Sequence, residues 1–155
     1  MEVNTDQAFY LRVSEALAGC QLVEQQLKLY ISLALDLIQR RVGKDLPFKM
    51  AGEDYEDSSL ERLIDVFNKL SDAPQLVKAL RAFKNERNFL SHRAITHCLD
   101  PEGEVDYVAA GSIDDRLAAI RTEADRLRID IWNEASKFAA NLWIEEMEGM
   151  PPPSA

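Results

Sequence analysis

The stretch from Thr5 to Arg41, TDQAFYLRVSEALAGCQLVEQQLKLYISLALDLIQRR, decides the fold. Tyr10, Val13, Leu17, Cys20, Leu27, Ile31, Ala34 and Ile38 keep a spacing of three and four, which predicts one long helix with an apolar stripe. Leu11, Ala18, Leu22, Leu29, Leu33 and Leu37 form a second stripe, well round the same helix at ~100° per residue. A helix apolar on two sides buries both. In a small bundle the second side often meets another subunit, which points to a homodimer; a central helix enclosed by its own chain satisfies the pattern too. Glu24 interrupts the first stripe where an apolar residue is expected. Either it pairs with a cation from another helix, because a lone buried carboxylate is costly, or it sits at the stripe's edge and reaches water.

Outward from this helix, Gly43 stops it and 45–57 is a loop with Pro47 and Gly52. Ser58 and Glu61 read as a capping box that opens a short helix to about Leu70. Asp72-Ala73-Pro74 restarts a third helix, with proline in its first turn, expected to run to His97 or Cys98. A turn follows at Asp100-Pro101-Glu102-Gly103, then a brief extended segment, Val105 to Val108. Gly111 ends that segment, and Ser112 with Asp115 caps a last long helix striped by Leu117, Ile120, Ala124, Leu127, Ile131, Ala135, Phe138 and Leu142. Trp132 and Trp143 flank the stripe. The fold class is therefore all-α, an antiparallel four-helix bundle of two long and two shorter helices. One domain spans 1–148, and 149–155 is a proline-rich, flexible tail.

Composition bounds the function. A chain of 155 residues is one domain, large enough for a core without disulfide or metal support. Cys20 and Cys98 have no metal-ligand spacing and read as small buried apolar groups. The start, Met1-Glu2-Val3-Asn4, has no secretory pattern, and no apolar run reaches the ~20 residues of a membrane span, so a cytoplasmic setting with no membrane partner is expected. The net charge of -9 opposes nucleic-acid binding over the whole surface but leaves room for a local basic cleft.

One run opposes that charge. From Lys78 to His97, Lys78, Arg81, Lys84, Arg87 and Arg93 stand against Glu86 alone, giving +4. On a helical wheel Arg81, Asn85, Asn88 and His92 share one strip, with Lys84, Arg87 and Ser91 beside it. Arg87 turns toward the apolar side, where Glu24 is its expected partner. Histidine titrates nearest neutrality, so His92 can exchange protons with a ribose hydroxyl or a leaving oxygen, and an arginine can hold the phosphate. Lys78, Arg81, Lys84 and Arg93 are candidate RNA-binding residues; Lys78, Arg81 and Lys84 read alternatively as cations that balance the acidic remainder. His97 reads as a helix C-terminal residue stabilised by the dipole rather than a second catalyst. Ser91 has no activating base. On these residues alone, His92 reads more readily as a solvated surface histidine on a basic helix.

Arg87-Asn88-Phe89-Leu90-Ser91-His92 resembles the R-x4-6-H motif of HEPN domains, all-helical bundles of this size. The resemblance implies a metal-independent endoribonuclease that needs no cofactor, acting as the toxin of a toxin–antitoxin or phage-defence system. It implies a dimer whose two motifs face one cleft, with RNA as substrate and an antitoxin protein as partner. Arg87 and His92 carry over as catalytic and Asn88 as the supporting polar residue; Glu24 and Ser91 are added from the helix pattern. One subgroup has a tyrosine two residues after the histidine, where this chain has Ala94. The alternative reading is a HEPN-like module that binds nucleotide or RNA without cutting, or a helical protein-interaction domain.

Overall fold

A computed structural model describes residues 5–149. It is all-helical: α1 spans Thr5–Val42, α2 Leu60–Leu70, α3 Pro74–His92, α4 Ala94–His97 and α5 Tyr107–Glu148, with a short 3-10 turn at Gly52–Tyr55. No strand forms among the described residues; Leu99 and Val105 make one isolated antiparallel bridge. The proline-rich tail expected beyond Gly149 lies outside the described residues.

The two long helices run parallel, not antiparallel. Pairs between them keep a nearly constant offset along the chain: Asp6 with Tyr107, Arg12 with Asp114, Glu15 with Arg121 and Arg40 with Glu146 are 101, 102, 106 and 106 residues apart. Close approach is set where Gly19 faces Ala124; a Cβ on Gly19 would stand 3.1 Å from that of Ala124. The groove between α3 and α5 steps the other way, with Ala79 beside Arg126, Phe83 beside Ile120 and Phe89 beside Ile113. So α3 is antiparallel to both long helices. α2 is antiparallel to α3, since Asp65 meets Arg81 and Glu61 meets Lys84.

The return from the end of α1 is made by 43–59. It lies back along α1, where a Cβ on Gly52 would overlap the Ser32 side chain at 2.6 Å; only glycine lets the backbone come so near. One core joins all these elements. Much of the first α1 stripe lies in it, Val13, Cys20, Leu27, Ile31 and Ala34 among its members, and so do Phe9, Ala16, Val23, Tyr30 and Leu35, which the two stripes leave out. Of the second α1 stripe, Leu11, Leu22 and Leu29 are exposed, while Leu33 packs partly buried against the core.

Three helix ends differ from expectation. The cap of α2 is Ser59, whose hydroxyl accepts from the Arg62 amide at 3.3 Å, not Ser58. α5 begins at Tyr107 under Asp106, whose carboxylate accepts from the Val108 and Ala109 amides, so Gly111 and Ser112 lie inside the helix. α3 ends at His92 rather than His97. Arg93 leaves helical geometry at φ -133°, ψ -28°, and a single turn, α4, continues in a new direction.

Tyr30 ties three helices together. Its ring packs edge-on against Phe67 of α2 and Phe138 of α5, and its hydroxyl donates to the Leu70 carbonyl at 2.8 Å, at the end of α2. Burial, with the Glu134 charge adding, pushes the phenol from its ordinary 10.0 to about 12. The protonated phenol is favoured by folding, so its contribution is full below pH ~10 and lost as pH rises toward 12. Tyr30→Phe should destabilise the protein by about 1 kcal/mol, a fall in melting temperature of roughly 3 °C, and should flatten the alkaline loss of stability measured by thermal melts between pH 9 and 12.

Candidate functional site

α3 reaches its last turn beside the second turn of α5, and the break at Arg93 folds the chain back across the gap. Arg93 keeps its amide on the Phe89 carbonyl at 2.9 Å and gives its own carbonyl to the His97 amide at 2.8 Å and to the Thr96 hydroxyl at 3.3 Å. Beyond Cys98 the chain turns tightly. Asp100 accepts from the Glu102 and Glu104 amides through its side chain, and the Asp106 amide donates to the Cys98 carbonyl at 2.8 Å. These bonds fix α4 between the end of α3 and the start of α5.

The result is an open cleft of about 700 Å³ lined by Asn85, Asn88, Phe89, His92, Arg93, His97, Ile113 and Arg116. That volume lies within the ~300–1,000 Å³ usual for small-molecule sites. Both histidines of the chain are on it. On an unbroken helix two residues five apart would face ~140° from each other; the break at Arg93 is what places His92 and His97 on one wall. No carboxylate is among the lining residues.

Arg116 is held in place. Its Nε and Nη2 donate to the two oxygens of Glu86 at 2.8 and 3.2 Å, and its guanidinium carbon lies 3.5 Å from the centre of the Phe89 ring. Such a fork on a carboxylate, stacked on an aromatic face, fixes the guanidinium plane. Arg93, by contrast, has no ion-pair partner among the described residues. Neither Arg116 nor the cleft role of His97 was legible from spacing: Arg116 lies on another helix, and His97 comes into place through a break that no glycine or proline announces.

The other predicted residues are elsewhere. Arg87 is not on the cleft; its Nε donates to Glu24 Oε1 at 3.2 Å. The contact expected between α3 and α1 is made, through one bond rather than a two-bond fork. Arg87 is 36% exposed, so the pair is screened and contributes at most about 1 kcal/mol. Arg81 pairs with Asp65 at 2.8 Å and Lys84 with Glu61 at 3.0 Å, both on the α2 side. Ser91 and Lys78 are exposed on α3 and do not line the cleft. Asn88 does, one turn before His92.

No protein-family model, curated protein or solved structure matches the chain. Among the described residues no group of three or more His, Cys, Asp or Glu side chains is placed to hold a metal ion, and no helix is long and apolar enough to cross a membrane.

Cys20 lies one turn before Glu24 on α1. Burial, then the Glu24 carboxylate, pushes its thiol up to about 11, and burial raises Cys98 as well. Both are buried in the core. The thiolate is the reactive form, so a disulfide reagent at pH 8 should titrate no thiol in the folded protein and two in denaturant. A fast-reacting thiol in the native protein would show that one of these sites opens.

Proposed function

We propose that this chain is a HEPN-like, metal-independent endoribonuclease whose working site is the cleft between the end of α3 and the start of α5. The observation that carries the reading is the cleft itself: His92 and Asn88 beside two arginines, with no lining carboxylate, in a chain of net charge -9. An acidic protein repels phosphate over most of its surface, and a cleft lined by two arginines and no carboxylate is a local exception. His92 transfers protons to or from ribose and leaving oxygens. Cationic nitrogens of Arg93 and Arg116 neutralise the charge that grows on the phosphate in the transition state. Asn88 lies one turn away, in reach of a ribose or base. Arg87 of the motif stands behind this strip and joins α3 to α1 through Glu24.

The toxin or phage-defence role, the antitoxin partner and the cytoplasmic setting rest on the motif Arg87 to His92. A homodimer is supported by a separate feature, the exposed Leu11, Leu22 and Leu29 of α1, with Ile129 and Trp132 exposed on α5. This face is not the cleft face. Leu22 is ~200° round α1 from Glu24, which meets α3, and Trp132 is ~160° round α5 from Arg116. A dimer formed there keeps the two clefts apart.

Digestion of a mixed-sequence RNA in the presence of a chelator tests the function. The wild type should cut, and His92→Ala should lose about 10²-fold or more of the rate. Arg87→Ala should lose far less, because Arg87 does not line the cleft. Binding without cutting at any protein concentration would leave the non-catalytic RNA-binding module standing; neither binding nor cutting would leave a helical interaction domain.

A further inference from the structure

We propose that His97 of the same chain is the second proton-transfer group of this site, with Arg93 and Arg116 holding the phosphate between the two imidazoles. The inference rests on the ribonuclease reading above and goes beyond the six-residue motif, which contains His92 alone.

Cleavage of RNA at a 2′-hydroxyl moves two protons. A base takes one from the 2′-oxygen as it attacks phosphorus, and an acid gives one to the 5′-oxygen as its bond to phosphorus breaks. The products are a 2′,3′-cyclic phosphate and a 5′-hydroxyl, and the two side chains return to their starting states by exchange with water. One imidazole cannot hold both positions at once. The sequence suggests that a second copy of the chain supplies the other His92. The exposed apolar face that supports a dimer lies on the far side of α1 and α5, so a dimer made through it brings no second His92 to the cleft.

A second imidazole is already present. His97 lines the same cleft as His92, carried there by α4 after the break at Arg93. Its place is fixed by backbone bonds rather than by packing of its own ring: its amide on the Arg93 carbonyl, and the Cys98 carbonyl held by the Asp106 amide. Two arginines line the same cleft. Arg93 stands between the two histidines in sequence and is free of ion pairs among the described residues. Arg116 uses Nε and Nη2 on Glu86, and its Nη1 makes no hydrogen bond among the described residues. No other ionisable side chain lines the cleft, and guanidinium groups stay charged through the neutral range.

The test is the pH dependence of RNA cleavage by the wild type, His92→Gln and His97→Gln, with chelator present and thermal melts as the folding control. Both histidines are exposed, so both variants should melt as the wild type does. The wild type should give a bell-shaped profile. Each variant should lose about 10²-fold or more at the optimum and keep one limb of the bell, the acidic limb in one and the alkaline limb in the other. His97→Asn should repeat the His97→Gln result. If His97→Gln and His97→Asn cut at the wild-type rate with the full bell while His92→Gln is inactive, the inference is overturned and the ribonuclease reading stands. If the wild type does not cut, both are overturned.

Discussion

Two parallel helices cannot be joined by a turn. α1 and α5 lie side by side in the same direction, so the chain that leaves the end of α1 must travel back the full length of the pair before α5 can start. With 38 residues in α1 that distance is ~57 Å. The segment 43–59 and the helix α3 share the return, and α2 is the short step between them. This constraint fixes where α3 ends: at the start of α5, beside Ile113 and Arg116. The cleft is a consequence of topology before it is a matter of side chains. The pairs Arg12–Asp114 and Glu15–Arg121 set the register near that end, and Gly19 against Ala124 sets the spacing.

The basic run of the sequence is not a basic surface in the fold. Arg81 and Lys84 are taken up by carboxylates of α2, Arg87 by Glu24, and Glu86 faces Arg116 on α5. These pairs are partly exposed and contribute little energy each. Their effect is to assign charge: they attach α3 to three neighbours, while Lys78 near its start and Arg93 at the helix break keep no ion pair among the described residues, and of these Arg93 lines the cleft with the histidines.

Helical periodicity made much of this legible. The first stripe of α1 supplies much of the buried surface of that helix, and the single misfit in it, Glu24, does meet Arg87. The stripe of α5 from Leu117 to Leu142 is buried apart from the partly exposed Phe138. What periodicity cannot give is direction. A stripe looks the same in a parallel and an antiparallel pair, so the run of α1 against α5 was not readable. Helix ends were read from the wrong residues for local reasons. Gly111 sits on the exposed side of α5, where it costs the helix only about 1 kcal/mol and does not stop it. The break at Arg93 carries no glycine or proline, and Leu90 and Ala94 keep helical spacing across it; both are buried whether or not the helix continues. That hidden break is why His97 read as a helix terminus and not as a member of the site.

In the mechanism proposed above, one chain brings both of its imidazoles to one phosphate. The chain has only two histidines, so the imidazole proton resonances can be followed without overlap and assigned with single His→Gln variants. Titration with inorganic phosphate at neutral pH measures the claim directly. The His92 and His97 signals should move together along one saturation curve, and Arg93→Ala should weaken both by the same factor. Movement of one signal alone, or two curves with different midpoints, would contradict it.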